Sequence, residues 1–393
     1  MNYILFDGIW REHLLPFTFT RPVGKIRIGI TTIQEKWESF LDQKLSFLTQ
    51  DYLQQKYPLV LEENNIVIDS SVLPNDEIIN QIRSLTLGQA LIKQGRIIAI
   101  HLSAHNINED PYQNSFEAID TECEFLSVQY PWDIFKFNPN VIEEDFKRIT
   151  IGRKSMPVNK NIFVTGDPQL IFIEEGADIK YSYFNTENGP IYIGANTKVL
   201  EGSKIRGPFA LCEFSTVKMG AKIYEGSTIG PFSKVGGEVN NSVIFGYSSK
   251  AHDGYLGNSV IGEWCNLGAD TNTSNLKNTY EQIKVWSYAG NKFVNTGEQF
   301  CGLLMGDHSK SGINTMFNTG AVIGVFCNIY GAGYQRNFIP SFSWGGVAQG
   351  FKLYNLNKVY KVADAVMQRR GHNFDEIEKE ILVHLHEIAT IRK

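Results

Sequence analysis

A six-residue repeat constrains the fold of this chain more than any other feature of its sequence. From Ile193 onward an aliphatic residue recurs at every sixth position, and a small residue usually follows four positions later. The aliphatic series is Ile193, Val199, Ile205, Leu211, Val217, Ile223, Ile229 and Val235, and the small residues are Thr197, Ser203, Ser215, Ala221, Ser227 and Ser233. A period of six fits neither an amphipathic helix nor an alternating strand.

The repeat predicts a triangular coil in which each hexapeptide forms one short strand and one corner. The aliphatic side chains would point inward and stack, and the small residues would fit the bends. The glycines at 194, 230 and 262 would relax the backbone at corners. Because a turn buries its core only against neighbouring turns, several turns are needed for stability. We therefore predict a left-handed parallel β-helix over about residues 173–329.

The repeat breaks between Asn241 and about Tyr255 and then resumes. The resumed series is Tyr255, Ile261 and Leu267, followed by Met305, Ser311, Phe317, Ile323 and Ile329. Between these two runs, residues 271–302 are polar and irregular, which predicts a loop extruded from the coil. Long insertions in a regular scaffold usually carry function, so this loop is expected to act as a lid.

The flanking segments lack the repeat. Residues 1–160 alternate strand-like runs with helix-like runs, which is typical of an α/β domain. After Pro340, apolar residues at helical spacing predict two helices separated by Gly371. The expected organisation is an α/β nucleotidyltransferase-like domain over 1–160, the β-helix over 161–345 and a helical tail over 346–393. The tail would cap the open end of the coil, which otherwise exposes strand edges.

Composition excludes several classes of partner. The formal charge of −5 gives no electrostatic reason to bind nucleic acid or an anionic membrane. No apolar run is long enough to span a bilayer, and the first residues do not resemble a signal peptide. The five scattered cysteines form no CxxC pair, which argues against zinc and for reduced thiols. We expect a cytoplasmic protein.

The segment KAHDGYLGNSVIGEWCNLGADTNTSNLK resembles the acetyltransferase centre of a known bifunctional family. That family combines N-acetylglucosamine-1-phosphate uridylyltransferase with glucosamine-1-phosphate N-acetyltransferase. Its pattern, a His three residues before Tyr-Leu-Gly, then Asn-hydrophobic-Gly-Ala and a later Asn, falls here on His252, Tyr255, Asn266 and Asn275. The N-terminal segment LLPFTFTRPVGKIRIGITTIQEKW is similar to a divergent bacterial branch of the same family.

The resemblance implies two activities and a homotrimer. The β-helix would use acetyl-CoA to N-acetylate an amino-sugar 1-phosphate, on the route to UDP-N-acetylglucosamine. The N-terminal domain would transfer a nucleotidyl group from a nucleoside triphosphate to a sugar 1-phosphate, with Mg²⁺ as cofactor. Two rivals remain open. One is a single-activity enzyme with the other half degenerate, and the other is a β-helix that serves only as a trimerisation or binding scaffold.

His252 is the residue that the resemblance assigns to catalysis. Acetyl transfer to an amine needs a base with a pKa near neutrality, a donor for the oxyanion and two well-placed reactants. His252 lies in a polar stretch where the repeat fails. Asp253 is its neighbour, but adjacent side chains on an extended segment face opposite ways, so Asp253 is not assigned to orient the ring. An isolated histidine without this pattern is more often structural.

The remaining site residues follow from the same resemblance. Tyr255 and Asn266 would hold the sugar phosphate and hydroxyls, and Asn275 would contact the sugar or order His252. Gly268 and Ala269 would offer backbone amides to the acyl thioester. For Asn266 a purely structural corner asparagine is an equal alternative, and for the two small residues simple coil geometry is another.

Three lysines are the candidates for binding phosphate. Lys277 and Lys284 lie in the extruded loop, where a solvated lysine is the equal alternative. The arginine that the family carries before the catalytic turn is missing at its expected place. Lys234 would bind the phosphate instead, or the acceptor would differ.

The N-terminal domain keeps only fragments of a nucleotide-binding motif. Thr20-Arg21-Pro22 is present, with Arg11, Lys25 and Arg27 nearby, but the glycine-rich turn that cradles a triphosphate is absent. Arg21 and Lys25 are the candidates for nucleotide binding, and no metal ligands are assigned. The domain would be either a divergent active nucleotidyltransferase or a degenerate domain that only positions the trimer. A basic cluster this short is also compatible with a solvated face.

Overall fold

The computed structural model describes residues 1–107 and 110–391, which form two units. The first unit comprises Met1–Leu14, Thr20–Ile26 and Thr31–Tyr130. The second comprises Leu15–Phe19, Arg27–Ile30 and Pro131–Lys393. Two short N-terminal segments thus pack with the C-terminal part of the chain.

A six-stranded mixed sheet forms the centre of the first unit. Its strands, in spatial order, are Ser46–Leu48, Asn2–Phe6, Asn64–Asp69, Arg96–Ser103, Gln89–Lys93 and Glu117–Asp120. The first three are mutually parallel, and Arg96–Ser103 runs antiparallel to both of its neighbours. Ile4, Val67 and Ile100 pack together on one face of the sheet, as expected for strands with nearly continuous apolar runs.

Three helices accompany this sheet, at Ile33–Leu41, Asp51–Gln54 and Asp76–Arg83. Short 3₁₀ turns occupy Val23–Lys25, Ala104–Asn106 and Pro111–Gln113. The helix at Ile33–Leu41 begins with a capping box. In it, Thr32 Oγ1 accepts from Glu35 N at 3.2 Å, and Glu35 Oε2 accepts from Thr32 N at 2.6 Å. The predicted α/β organisation of the N-terminal part is confirmed.

A parallel β-helix with three faces forms most of the second unit. Strands of the first face are Ile171–Ile173, Ile191–Ile193, Phe209–Leu211, Ser227–Ile229, Val243–Gly246, Val260–Glu263, Leu303–Met305, Ala321–Ile323 and Phe338–Ile339. Strands of the second face are Asp178–Ile179, Lys198–Val199, Thr216–Val217, Lys234–Val235, Ser249–Lys250, Asn266–Leu267, Lys310–Ser311, Asn328–Ile329 and Ser343–Gly346, with Gly350–Leu353 antiparallel at the end. Strands of the third face are Ile162–Thr165, Ser182–Asn185, Lys204–Arg206, Lys222–Ile223, Glu238–Asn240 and Tyr255–Gly257, and Asn272–Thr273 pairs separately with Met316–Phe317.

The strand register stacks the repeat residues as predicted. On the first face, Ile193 pairs with Leu211 and Leu211 with Ile229, and on the second face Val199 pairs with Val217 and Val217 with Val235. Each of these side chains is fully buried. The parallel β-helix and the helices that follow it confirm the predicted fold class.

The turns of the coil are unequal in length around the break in the repeat. On the first face Ile229 is followed by Ile244 and then Ile261, which are steps of fifteen and seventeen residues rather than eighteen. The prediction that Tyr255 points inward is therefore wrong. Leu256 takes the inward position above Val239 and is 0% exposed, whereas Tyr255 is half-buried on the outside. The shorter turns move the inward position by one residue, which a fixed period of six does not anticipate.

Buried hydroxyls satisfy carbonyl groups at the corners. Ser203 Oγ donates to Leu200 O at 2.8 Å, and Ser215 Oγ donates to Gly230 O at 2.7 Å. The small residues of the repeat therefore supply hydrogen bonds as well as space. Gly230 is required for a different reason than predicted. Its φ is not positive, but a Cβ there would lie 1.9 Å from the carbonyl oxygen of Phe245 on the next turn.

A ladder of stacked aromatic rings follows the corner between the first and second faces. Its members are Phe214, Phe232, Tyr247, Trp264, His308, Phe326 and Phe342, with successive ring centroids 4.2 to 6.0 Å apart. All seven residues have positive φ, between 53° and 60°. This left-handed conformation is unfavourable for bulky residues, so stacking along the corner offsets local strain.

Helices and an inserted hairpin complete the second unit. The helix Pro131–Thr150 packs on the coil through Asn138, whose Nδ2 donates to Gly226 O at 2.8 Å. Between the third-face position Thr273 and the first-face strand Leu303–Met305, the chain forms an antiparallel hairpin of Lys284–Ser287 and Lys292–Asn295. The C-terminal helices are Leu356–Gln368 and Glu376–Ile391. Within the described part of the chain, no helix has the length and apolar character needed to cross a membrane.

Candidate active sites

His252 lies at the corner between the second and third faces of the coil. It follows the strand Ser249–Lys250 and is exposed to solvent. Neither ring nitrogen has a hydrogen-bond partner among the described residues, and Asp253 does not bond the ring. Instead the His252 carbonyl oxygen accepts from Lys250 Nζ at 2.5 Å. The backbone around this residue is therefore held, while the imidazole is open to a substrate.

Glycines of the turn below allow the His252 segment to lie close to the coil. Gly237 has φ of 71°, and a Cβ there would lie 2.8 Å from Asp253 Cα and 3.0 Å from His252 O. Gly236 N donates to Lys250 O at 2.8 Å. The pair of glycines in the sequence KVGGEV therefore makes room for the segment that carries the candidate base.

Tyr255 and Asn275 are brought together on the outside of the third face. Asn275 Nδ2 donates to Tyr255 Oη at 3.0 Å and to Asn258 Oδ1 at 2.8 Å. Burial raises the pKa of Tyr255, and hydrogen bonds from Asn240 and Asn275 oppose that rise. The sequence analysis did not single out Asn258, although it directly follows the Tyr-Leu-Gly motif.

A steric constraint explains why the third residue of the Tyr-Leu-Gly motif, Gly257, is a glycine. Tyr255 and Gly257 lie two positions apart on one strand, so they share a face of the sheet. A Cβ on Gly257 would lie 2.3 Å from Tyr255 Oη and 2.7 Å from Asn275 Nδ2. The Tyr255 ring therefore folds back over Gly257, where it meets Asn275.

Asn266 lies on the second face rather than beside Tyr255. It is exposed, and it pairs with Ser249 below and Lys310 above. Ala269 follows at the same corner as His252, one turn further on, since Asp270 N donates to Asp253 O at 3.1 Å. His252 thus lies between the face with Asn266 and the face with Tyr255. Within one chain these residues flank the corner and do not line one closed pocket.

The Gly268 amide does not match its predicted role. Its N–H donates to Ser311 O at 3.0 Å, so it is used in the strand ladder of the coil. This contradicts the prediction that Gly268 donates to the acyl thioester. Ala269 remains a predicted donor to the acyl thioester, and its carbonyl oxygen accepts from Asn314 N at 2.9 Å.

The predicted loop lysines have different surroundings. Lys277 Nζ donates to Gln282 O at 3.3 Å and lies 3.6 Å from Glu281 Oε2. Lys284 is exposed at the start of the inserted hairpin. Lys277 is therefore already bonded within its loop, and neither lysine is directed to the His252 corner by a contact.

Lys234 belongs to a cluster of four cationic side chains. It lies on the outside of the second face, and its pKa is lowered by partial burial and by the charges of Arg370, Lys218 and Arg369. Burial and Arg369 also lower the pKa of Arg370. None of the four side chains forms an ion pair or hydrogen bond with another described residue. Cations grouped without counterions favour the binding of an anion.

The junction of the C-terminal helices carries the two arginines of this cluster. His372, just after them, contacts the aromatic ladder edge-on, with centroids 4.9 Å from Tyr247 and 5.5 Å from Trp264. This contact fixes the junction at the level of the second-face strands around Lys234. The helical tail therefore contributes to the candidate site, a role that the sequence analysis did not consider.

In the first unit, three polar residues lie at the carboxyl ends of adjacent parallel strands. Asp7 follows Asn2–Phe6, Thr49 follows Ser46–Leu48, and Asp69 ends Asn64–Asp69. Ligands of α/β proteins commonly bind at this end of a parallel sheet. A polar residue directly after a buried strand is the signal that would have identified Asp7 and Asp69 from the sequence.

Both aspartates are engaged by arginine. Asp7 Oδ2 lies 3.1 Å from Arg11 Nε, and its Oδ1 accepts from Val23 N at 2.7 Å. Burial raises the pKa of Asp7, and the nearby charge of Arg11 opposes that rise. Asp69 Oδ2 accepts from Arg96 Nε at 2.9 Å and from Arg96 Nη2 at 2.8 Å.

The two basic residues predicted to bind nucleotide, Arg21 and Lys25, both lie in the first unit. Arg21 is buried, and Lys25 is half-buried with Nζ 5.6 Å from the centroid of the Phe47 ring. Arg27 belongs to the second unit, where its Nε donates to Phe245 O at 3.1 Å. Only Arg11, Arg21 and Lys25 therefore stay with the first unit.

No protein ligand set for a metal ion is present in the described ranges. They contain no group of three or more His, Cys, Asp or Glu side chains that could hold one. The two carboxylates at the sheet, those of Asp7 and Asp69, already form ion pairs with arginines. The residues present thus do not fit a resident Mg²⁺.

Comparison with known proteins finds one matching family model and several relatives. Residues 3–154 match the family model described as sugar nucleotidyl transferase. The bifunctional protein GlmU of Methanococcus aeolicus is 28% identical over 212 residues, which cover 54% of this chain and 44% of that protein. A bifunctional sugar-1-phosphate nucleotidylyltransferase/acetyltransferase of Sulfurisphaera tokodaii is 29% identical, with 54% and 47% covered. The matched segment spans less than half the length of these relatives.

Shorter proteins are also similar. The putative uncharacterized acetyltransferase YaiX of Escherichia coli is 25% identical over 199 residues, covering 50% of this chain and 78% of that protein. Among solved structures, the polySia-specific acetyltransferase NeuO aligns at 15% identity with a TM-score of 0.28, covering 49% of this chain and 86% of that chain. The family model and the two bifunctional relatives confirm the resemblance to the bifunctional sugar-nucleotide family.

Proposed function

We propose that this chain is a two-activity transferase of sugar-nucleotide biosynthesis. Its β-helix transfers an acetyl group from acetyl-CoA to an amino-sugar 1-phosphate, on the route to UDP-N-acetylglucosamine. Its first unit transfers a nucleotidyl group from a nucleoside triphosphate to a sugar 1-phosphate. The observation that best supports the acetyl transfer is the open imidazole of His252 at a corner of the coil, next to the face that carries the Tyr255–Asn275 pair. The sugar nucleotidyl transferase match over residues 3–154 supports the second activity.

The acetyl transfer needs no covalent enzyme intermediate. The substrate amine attacks the thioester carbonyl carbon, and His252 accepts the proton that the amine loses. A C–N bond forms, the carbonyl oxygen becomes an oxyanion, and the Ala269 amide is the proposed donor to it. The C–S bond then breaks and coenzyme A leaves with a proton. Tyr255, Asn275 and Asn266 would orient the sugar.

Phosphate binding is assigned to the cation cluster. Lys234, Lys218, Arg369 and Arg370 have no counterions among the described residues, and a phosphate ester would relieve their mutual repulsion. Lys234 lies three residues before Gly237, on which the His252 segment rests. A phosphate held at this cluster would leave the rest of its molecule within reach of the His252 corner. Lys277 and Lys284 remain proposed contributors from the loop.

The nucleotidyl transfer is assigned to the carboxyl ends of the parallel strands in the first unit. Arg11, Arg21, Lys25 and Arg96 would neutralise the triphosphate there. Because Asp7 and Asp69 are bonded to arginines, Mg²⁺ would arrive bound to the nucleotide rather than reside in the protein.

We also propose a cytoplasmic homotrimer. Two apolar side chains on the same corner line as His252 are strongly exposed, Met219 at 69% and Ile313 at 71%. Contact with a neighbouring subunit would cover them and close the open side of the His252 corner. Three copies would thus complete three equivalent sites.

A substitution of His252 tests the acetyl transfer. His252→Asn is expected to reduce kcat by about a hundredfold to ten-thousandfold with acetyl-CoA and glucosamine 1-phosphate or a related amino sugar, because general-base catalysis is lost. His105→Asn, at an exposed histidine of the first unit, serves as the matched control and is expected to retain activity within about threefold. Undiminished turnover in His252→Asn would show that His252 is not the base.

A single-activity enzyme is the second candidate. Its support is the engagement of both Asp7 and Asp69 by arginines, so that neither carboxylate at the ends of these parallel strands is free to bind a metal ion. Pyrophosphate release should be measured with UTP, dTTP and GTP against a panel of sugar 1-phosphates. Release with any pair supports two activities, and no release with all pairs supports acetyl transfer alone.

A further inference from the structure

The interior of the second face contains a lysine. Lys250 pairs with Val235 of the turn below, at a position that valine or isoleucine fills in the preceding turns. The side chain points into the coil, and the residue is only 3% exposed. Burial of an ammonium group among aliphatic side chains is costly unless hydrogen bonds compensate for it. This position therefore needs an explanation beyond packing.

The ammonium of Lys250 bonds the residue proposed as the base. Lys250 Nζ donates to the carbonyl oxygen of His252 at 2.5 Å. The carboxylates of Asp253 and Asp270 also act on the ammonium electrostatically and favour its charged form. The bond joins the end of a core strand to the corner segment that leaves it. Its geometry fixes the peptide of His252 and with it the direction of the Cα–Cβ bond.

We infer that Lys250 is a positioning residue, which holds the His252 peptide so that the imidazole points to the bound substrate. The inference rests on the proposed acetyl transfer and deepens it. A methionine would fill the same volume without a charge and would be no less stable in the coil. The lysine is therefore explained by what it does to His252 and not by the stability of the core.

The positioning role of Lys250 predicts how kcat and the free energy of unfolding change with pH. Burial lowers the pKa of Lys250 to about 8, against the opposing effect of Asp253 and Asp270. As pH rises through 8 the ammonium loses its proton, its bond to the His252 carbonyl weakens, and kcat falls. The unfolded chain keeps its lysine protonated up to an ordinary pKa of about 10.4, so the unfolded state binds more protons between these values. The free energy of unfolding therefore rises over the same range in which kcat falls.

The test compares Lys250→Met with a second lysine that bonds a histidine carbonyl. Lys310 is half-buried, its Nζ donates to His308 O at 2.9 Å, and burial lowers its pKa to about 8. Lys250→Met is expected to reduce kcat by about tenfold to a hundredfold with KM within about twofold, because the reacting groups are misaligned. It should also abolish the fall of kcat above pH 8. Lys310→Met should change the stability profile but leave kcat and its pH profile unchanged.

A second substitution separates positioning from folding. Lys250→Gln keeps a donor that can reach a nearby carbonyl, so it should recover part of the kcat lost in Lys250→Met, with no descending limb near pH 8. Wild-type kcat in a folded Lys250→Met protein would overturn the inference. An equal loss of kcat in Lys310→Met and Lys250→Met would also overturn the inference. If His252→Asn retained full activity, or if no acetyl transfer occurred at all, the proposed function would fail instead, and the role of Lys250 with it.

Discussion

At the scale of single residues, the site depends on two glycines that lack a side chain, Gly257 and Gly237. Gly257 has no side chain, so the Tyr255 ring folds back and its Oη meets Asn275 Nδ2 at 3.0 Å. Gly237 similarly allows the backbone of His252 and Asp253 to lie within 3.0 Å of where its Cβ would be. The Tyr-Leu-Gly motif is thus a packing unit in which the glycine determines the position of the tyrosine.

Gly257→Ala should disrupt the site more than the coil. The new Cβ would lie 2.3 Å from Tyr255 Oη, so the ring must leave Asn275. We expect kcat/KM for acetyl transfer to fall about tenfold or more, with an overpacking cost of about 1–3 kcal/mol in stability. Gly246→Ala is the matched control, because the nearest atom to its Cβ would be at an ordinary 3.4 Å. Equal activity in both variants would contradict this role of Gly257.

At the scale of elements, spacing predicts stacks but not the length of each turn. The period of six identifies Ile193, Leu211 and Ile229 as one inward row, because identical turns repeat identical backbone geometry. The period of six fails at Leu256, because two turns have only fifteen and seventeen residues. Their corners are shorter, while their strands still pair with the neighbouring turns. The pairs Asp69–Arg96 and Lys234–Arg370 also escape prediction, because they join residues far apart in the sequence. The His252 motif is predictable because its residues are local.

The aromatic ladder predicts how substitutions of Trp264 at one corner change the free energy of unfolding. Trp264 is stacked 4.2 Å from Tyr247 and has φ of 60°. Trp264→Ala should cost about 3–5 kcal/mol from lost packing. Trp264→Gly should cost about 1 kcal/mol less, because glycine adopts the left-handed conformation without strain, which reverses the usual order of these two residues. Urea unfolding followed by far-ultraviolet circular dichroism measures both values, and a less stable glycine variant would contradict the strain.

At the scale of the whole molecule, the C-terminal tail and the coil combine to form one charged surface. Arg369 and Arg370 at the helix junction lie near Lys234 and Lys218 on strands more than a hundred residues earlier. From the sequence, the tail was expected only to cap the open end of the coil. Its helices instead also carry two cations to the face that borders the His252 corner.

Loss of one of these cations should weaken substrate binding selectively. Arg370→Met is expected to raise KM for the phosphate-bearing substrate about tenfold to a hundredfold, because a charge-assisted hydrogen bond to phosphate contributes about 1.5–3 kcal/mol. kcat should change little, and the KM of the wild type should rise with salt more steeply than that of the variant. Lys361→Met, an exposed cation on the preceding helix, is the control. Equal KM values in both variants would remove the cluster from substrate binding.

The three-sided coil has a consequence for how this protein can vary. The three-sided coil has three edges, and each edge carries a different structural or functional feature. One holds the aromatic ladder, the second holds His252, and at the third the chain leaves after Thr273 and returns at Leu303. Because each turn contacts only its neighbours, a change at one edge does not propagate to the other two. The chemistry, the scaffold and the insertion can therefore diversify separately along a shared core.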